Sequence, residues 1–186
     1  MGIVGYFSVS YLKRNAQLIV EDSIPGLAHA ASANSSLARA YNNLLLLLTA
    51  ETEEHRAEYA AAVASNSDET SRCLESYARC LREGDSDSVI YDNLVRERAS
   101  YLKIRAQVMD HVAAGRSEEA LRVFRLSLRP AYESYHRAGE QLLEYNIQVS
   151  SARGKEITTI CNVTQVMVAC VGILLFLAGF LLGFSR

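Results

Sequence analysis

The sequence predicts an all-α protein, an antiparallel up-down-up-down four-helix bundle with a C-terminal transmembrane helix. Three observations carry this prediction. Val166 to Phe184 runs nineteen residues without a charge, twelve of them Val, Ile, Leu or Phe. At about 1.5 Å of rise per residue that length crosses a hydrocarbon core of about 30 Å, and its apolar side chains favour insertion by roughly 4–7 kcal/mol. Ahead of it, apolar residues recur in steps of three and four along four separate stretches, the 3.5-residue repeat of helices packed in a bundle. Breakers are scarce: there are two prolines, Pro25 and Pro130, and no period-two run or Asn-Gly or Asp-Gly hairpin turn.

The elements follow in order. Met1 to Leu12 is apolar but too short to span a membrane, and Lys13-Arg14 closes it. It lacks the basic start and cleavage site of a signal peptide, so it reads either as an interfacial or core helix start or as part of a first span. Asn15 to Asp22 is helix-compatible, and Ser23-Ile24-Pro25-Gly26 predicts a break or kink. The first bundle helix carries the stripe Leu27, Ala30, Asn34, Leu37, Tyr41, Leu44, Leu48, with Asn34 as a polar residue that sets register. Leu44 to Leu48 has enough leucine to bury more than one face.

Glu53 and Glu54 suit the start of a second helix, where negative charge meets the positive dipole end. Its stripe is Tyr59, Val63, Asn66, Thr70, Cys73, Tyr77 and Cys80. A turn is expected over Arg82 to Ser88, with Gly84 ending one helix and Asp85 or Ser86 capping the next. The third stripe uses Ile90, Leu94, Tyr101, Ile104, Val108 and Val112. Gly115 should stop it, and Ser117 with Glu118 and Glu119 should start the fourth helix. That helix has the most regular stripe, Leu121, Phe124, Leu128, Ala131, Tyr135, Ala138, Leu142, Tyr145 and Val149, with Pro130 expected to kink it. Short connections between four amphipathic helices force antiparallel neighbours.

An apolar N-terminal helix, the Ser-Ile-Pro-Gly break, a leucine-rich first helix and a Gly-Arg-Ser-Glu-Glu-Ala-Leu turn into a helix carrying Arg-Pro-Ala-Tyr together resemble the four-helix-bundle sensor domain of methyl-accepting chemotaxis proteins. The resemblance covers nearly the whole chain. It implies a bacterial periplasmic sensor held in the inner membrane, a homodimer that binds a small molecule and shifts its second span to signal inward. The sequence departs from the family at both ends: the first apolar stretch is about half a span, and no linker, methylation helix or kinase-coupling tip follows Arg186. The implied protein is a sensory domain without its own signalling domain, truncated after the second span. Its divisions are 1–22, a short apolar N-terminal helix, 23–156, the sensor bundle, and 157–186, the transmembrane helix and tail.

Candidate chemistry is narrow. A net charge of −2 gives no reason to expect nucleic acid. The four histidines show no metal-ligand spacing, and no phosphate loop or nucleophile elbow occurs, so no catalytic, metal or cofactor residue is assigned and the chain is not read as an enzyme. Ligand binding is the better reading. Arg39, flanked by Leu37 and Tyr41 and followed by Asn42 and Asn43, could clamp a carboxylate at a helix or subunit seam. Arg98 and Arg105 on the third helix are further candidates.

Cys73 and Cys80 lie about 10.5 Å apart on one helix, too far for a mutual disulfide, and read as small core residues or an intersubunit pair. Gly179-x-x-x-Gly183 permits close approach of spans. Lys13-Arg14 and Arg153/Lys155 would hold the bundle in the cytoplasm by charge counting, whereas the resemblance puts it in the periplasm. The periplasmic sensor is the primary reading, and a tail-anchored interaction protein with a cytoplasmic bundle is the alternative.

Overall fold

The computed structural model describes residues 10, 11, 13, 14, 16, 17, 19–81 and 86–184, leaving aside the side chains of 21, 22, 86 and 174–184. The apolar start at Met1 to Leu12 therefore lies mostly outside the described residues, as do Arg82 to Asp85 of the turn expected over Arg82 to Ser88, whose last three residues already belong to helix. Every regular element is helical: α1 Ile24–Thr49, α2 Glu53–Ala78, α3 Ser86–Ala113, α4 Ser117–Val123 and α5 Arg129–Phe184, with π-helical turns at Ile19–Ser23 and Phe124–Leu128. No strand occurs among the described residues. Two compact units form: Pro25–Ile147 is one, and Met1–Ile24 with Gln148–Arg186 the other.

Within Pro25–Ile147 the fold is the expected all-α four-helix bundle, the fourth rod being α4, the π turn and the first part of α5. Cross-helix contacts give its direction. Along the α1–α5 seam Gly26 meets Asn146, Asn34 meets Gly139, and Tyr41 stacks on Tyr132, so one number rises as the other falls. Between α2 and α3 the Tyr91 hydroxyl donates to the Leu74 carbonyl at 3.1 Å, while Arg98 and Arg105 reach Ser71 and Ser67. Both seams are antiparallel.

The core follows a heptad repeat. On α1 the buried apolar side chains are Ala30, Ala33, Leu37, Ala40, Leu44 and Leu47, with Gly26 and Ser36 buried beside them. The predicted stripe is therefore right at Ala30, Leu37 and Leu44 and one residue off on alternate steps. Ala33, Ala40 and Leu47 point inward, while Leu27, Asn34, Tyr41 and Leu48 sit half-buried on the flank. Small alanines let neighbouring backbones approach, and the larger residues close the edge of the seam. Helix α2 buries Val63, Thr70, Leu74 and Tyr77, and α3 buries Leu94, Tyr101 and Val108. The fourth rod buries Ala120, Phe124, Leu128, Tyr135, Ala138, Leu142 and Asn146, so Asn146 takes the last inward place in preference to Tyr145.

Both prolines sit in helix, each directly after a π turn: Ile19–Ser23 ends two residues before Pro25, and Phe124–Leu128 ends two before Pro130. Pro130 has no N–H to give the Leu126 carbonyl, and its ring crowds that carbonyl. The preceding turn widens, and the Arg129 N–H bonds the Phe124 carbonyl five residues back. The expected kink is thus absorbed as a one-turn π insertion, with helix resuming at once.

The turns are chemically specified. Thr52 caps α2, its hydroxyl accepting from the His55 N–H at 3.2 Å ahead of Glu53 and Glu54. Gly115 ends α3 at φ 70°, with the Arg116 N–H bonding the His111 carbonyl and the Gly115 N–H bonding the Val112 carbonyl, a Schellman closure. Ser117 begins α4 as expected but does not cap it; Arg116 holds the cap position without a side-chain bond.

Gly139 is where the α5 backbone accepts a neighbour. A Cβ there would stand 2.0 Å from Asn34 Oδ1. Gly139→Ala is expected to lose about 1–2 kcal/mol, because overpacking of about 1–3 kcal/mol exceeds the helix-propensity gain of about 0.5–1 kcal/mol. Adding Asn34→Ala should recover most of that loss in thermal unfolding.

Candidate ligand-binding surface

Arg39, Asn42 and Asn43 occupy one stretch of α1, three and four residues apart and so neighbours on its surface. Arg39 and Asn42 are exposed and Asn43 is half-buried. The Arg39 guanidinium turns towards α2: Nη2 donates to Ser36 Oγ at 2.8 Å and Glu69 Oε2 at 3.0 Å, and Nε donates to Asn66 Oδ1 at 3.1 Å. Among the described residues, Asn42 and Asn43 make no side-chain hydrogen bond. The structure therefore gathers the three on one face but commits Arg39 to a carboxylate. That pair is about half exposed and stabilises by at most about 1 kcal/mol, so another carboxylate can compete for the same donors.

The α2–α3 seam holds a second cationic group. Arg98 Nη2 donates to Ser71 Oγ at 2.6 Å and Arg105 Nη1 donates to Ser67 Oγ at 2.8 Å. Both arginines and both serines are half-buried. Between the arginines Tyr101 points into the core, with the Arg105 guanidinium 5.9 Å from its ring centre. Burial pushes the Tyr101 phenol up to about 12 against the pull of Arg105. Burial likewise raises Tyr135 to about 12, opposed by the positive charges of Arg98 and Arg105.

An aromatic group joins α1 to the fourth rod. Tyr41 and Tyr132 stack with centroids 3.7 Å apart, Phe124 lies 5.5 Å from Tyr41, and His136 lies 5.6 Å from Tyr132. Sequence reasoning placed Tyr41 only as a seam residue and left Tyr132 unassigned. Its signal was available, since Tyr132, Tyr135 and His136 occupy adjacent helical positions. The serines under Arg98 and Arg105 had no such signal.

In the other unit, Ser10, Tyr11 and Arg14 line an open groove of about 590 Å³ with Thr159, Ile160, Val163, Thr164 and Met167. The Tyr11 hydroxyl donates to Glu156 there, and Arg153 Nη1 donates to Ser23 Oγ at 2.5 Å. Among the described residues, one helical run, 117–173, is long and apolar enough to cross a membrane by length and composition.

Residues 1–160 match the family described as a four helix bundle sensory module for signal transduction. The chain belongs to that family. No curated protein matches it. A sensory module of this kind is a signalling unit and not an enzyme class.

Proposed function

We propose that this sensory module is anchored in a bacterial inner membrane by residues 157–186, holds its bundle in the periplasm, and detects a small carboxylate ligand as a homodimer. The family match over residues 1–160 carries this reading. The apolar helix that continues beyond the match supports the anchor. Leu45 and Leu46 stay 38% and 46% exposed on α1, on the helix that carries Arg39 and Asn42, which favours a second copy of the chain as the occupant of that face. The ligand enters beside Arg39, displaces Glu69 from the guanidinium, and meets the amides of Asn42 and Asn43. Conversion of that exchange into a small movement of α5 is the output.

The basic residues Lys13, Arg14, Arg153 and Lys155 favour the rival topology with a cytoplasmic bundle. Labelling of Lys103→Cys, an exposed α3 position, by a membrane-impermeant maleimide separates the two. Labelling in intact spheroplasts is expected; labelling only after lysis would sink the periplasmic sensor. In a thermal-shift panel of amino acids and monocarboxylic acids, at least one acid should stabilise the full chain, and Arg39→Gln should abolish that shift.

A further inference from the structure

We propose that Arg98 with Ser71 and Arg105 with Ser67 form the two halves of a second site, on the α2–α3 seam, for a small dicarboxylate. Each half pairs a guanidinium with a serine hydroxyl, at 2.6 Å and 2.8 Å. Neither guanidinium has a carboxylate within 4.0 Å among the described residues, although both are half-buried. Arg39 and Arg96, by contrast, hold Glu69 and Glu97. Half-buried cations without counter-ions are expensive to keep, and a hydroxyl dipole offsets only part of that cost. A planar guanidinium carries five donors, so each half retains unused donors for a carboxylate, which it can take bidentately.

Two further observations place the halves together. Tyr135 senses the positive charge of both arginines, so the guanidiniums face one locality. Tyr101, 1% exposed and between them in sequence, holds its ring 5.9 Å from the Arg105 guanidinium, which fixes that half against the core. The spacing selects the ligand. Arg98 and Arg105 are seven residues apart and Ser67 and Ser71 four, separations of about 10 Å and about 6 Å along the helices. Two carboxylates joined by two or three carbons can engage both halves at once, one guanidinium to each. This site is reached from α3 and does not depend on the Arg39 face, which is reached from α1.

The test is calorimetric titration of the full chain in lipid nanodiscs, at fixed ionic strength, with succinate, glutarate, acetate and inorganic phosphate. Succinate or glutarate should bind saturably, with acetate and phosphate at least about tenfold weaker. Arg98→Gln or Arg105→Gln should each weaken the dicarboxylate at least about tenfold, while Arg39→Gln leaves it unchanged. Should either arginine variant lose its helical circular dichroism, Ser67→Ala and Ser71→Ala carry the same test and should each weaken binding. The proposal is overturned by no saturable binding up to about 10 mM, by equal affinity for acetate or phosphate, or by dicarboxylate affinity unchanged in the folded seam variants. Loss of dicarboxylate binding only in Arg39→Gln also overturns it, and leaves the Arg39 reading standing.

Discussion

Raising the pH from about 10 to about 12 is expected to unfold the bundle, because its tyrosines ionise far more readily unfolded than folded. Tyr101 and Tyr135 are 1% and 3% exposed, and burial holds both phenols near 12 against an ordinary value of 10.0. A phenol is neutral when protonated, so a raised folded value means that the folded state keeps its proton longer. Stability from these groups is complete below pH 10 and is lost as pH climbs through 12. Two groups shifted by about two units remove about 5 kcal/mol together, against a total of about 5–15 kcal/mol for a typical domain. Tyr77 is raised further still, chiefly by burial, and adds to the loss. Tyrosinate absorbance and helical circular dichroism should therefore change together for the buried phenols, after the exposed ones have titrated. Titration of all ten tyrosines near pH 10 with the helix signal intact would refute this, and Tyr101→Phe with Tyr135→Phe should move the transition to higher pH.

The bundle was legible because helix periodicity is a long-range signal that single residues cannot hide. Leu94, Tyr101 and Val108 on α3 and Phe124, Leu128, Tyr135, Ala138 and Leu142 on the fourth rod were placed inward from spacing alone, and all are buried. Errors came where size and polarity disagree with position. Ala33 and Ala40 are too small to mark a stripe, yet they set the approach of α1 to its neighbours. Asn146 is polar and sits inward because Tyr77 and the Leu142 carbonyl satisfy its amide. Both prolines lie beside an irregular turn, but the break expected at Ser23–Gly26 is replaced by a π turn running into helix, a backbone geometry that a residue list does not display.

The candidate site was legible only as a set of cations. Arg39, Arg98 and Arg105 stood out as charges beside apolar stripes, and each proves to face a seam. Their partners Ser36, Asn66, Glu69, Ser67 and Ser71 come from other turns or another helix. Pairings across a seam depend on relative helix rotation, which the hydrophobic pattern fixes only to within about one residue. Asn42 and Asn43 share the face of Arg39 by helical spacing but are not drawn into its network. That leaves Arg39 with its carboxylate as the pre-set element of the face.

Tyr77→Ala should cost the bundle about 3–5 kcal/mol, as removal of a buried aromatic does, and the conservative Tyr77→Phe about 1–2 kcal/mol. Tyr77 is 1% exposed, and its ring stacks on Tyr91 at 5.6 Å. Its hydroxyl accepts from Asn146 Nδ2 at 2.8 Å and donates to Asp87 Oδ2 at 3.2 Å, joining α2 to α3 and α5. Asn146 Oδ1 in turn lies 3.0 Å from where a Cβ on Gly26 of α1 would be. All four rods meet at this one ring. Phenylalanine keeps the packing but leaves the buried Asn146 amide with the Leu142 carbonyl alone, so its cost measures the polar link by itself. Asn146→Leu should remove the same link from the other side, and a double-mutant cycle of Tyr77→Phe with Asn146→Leu should show losses that do not add. Strict additivity would mean that the bond contributes nothing. Equal losses from Tyr77→Phe and Tyr77→Ala would mean that the end of the bundle is held by the hydroxyl and not by the packed ring.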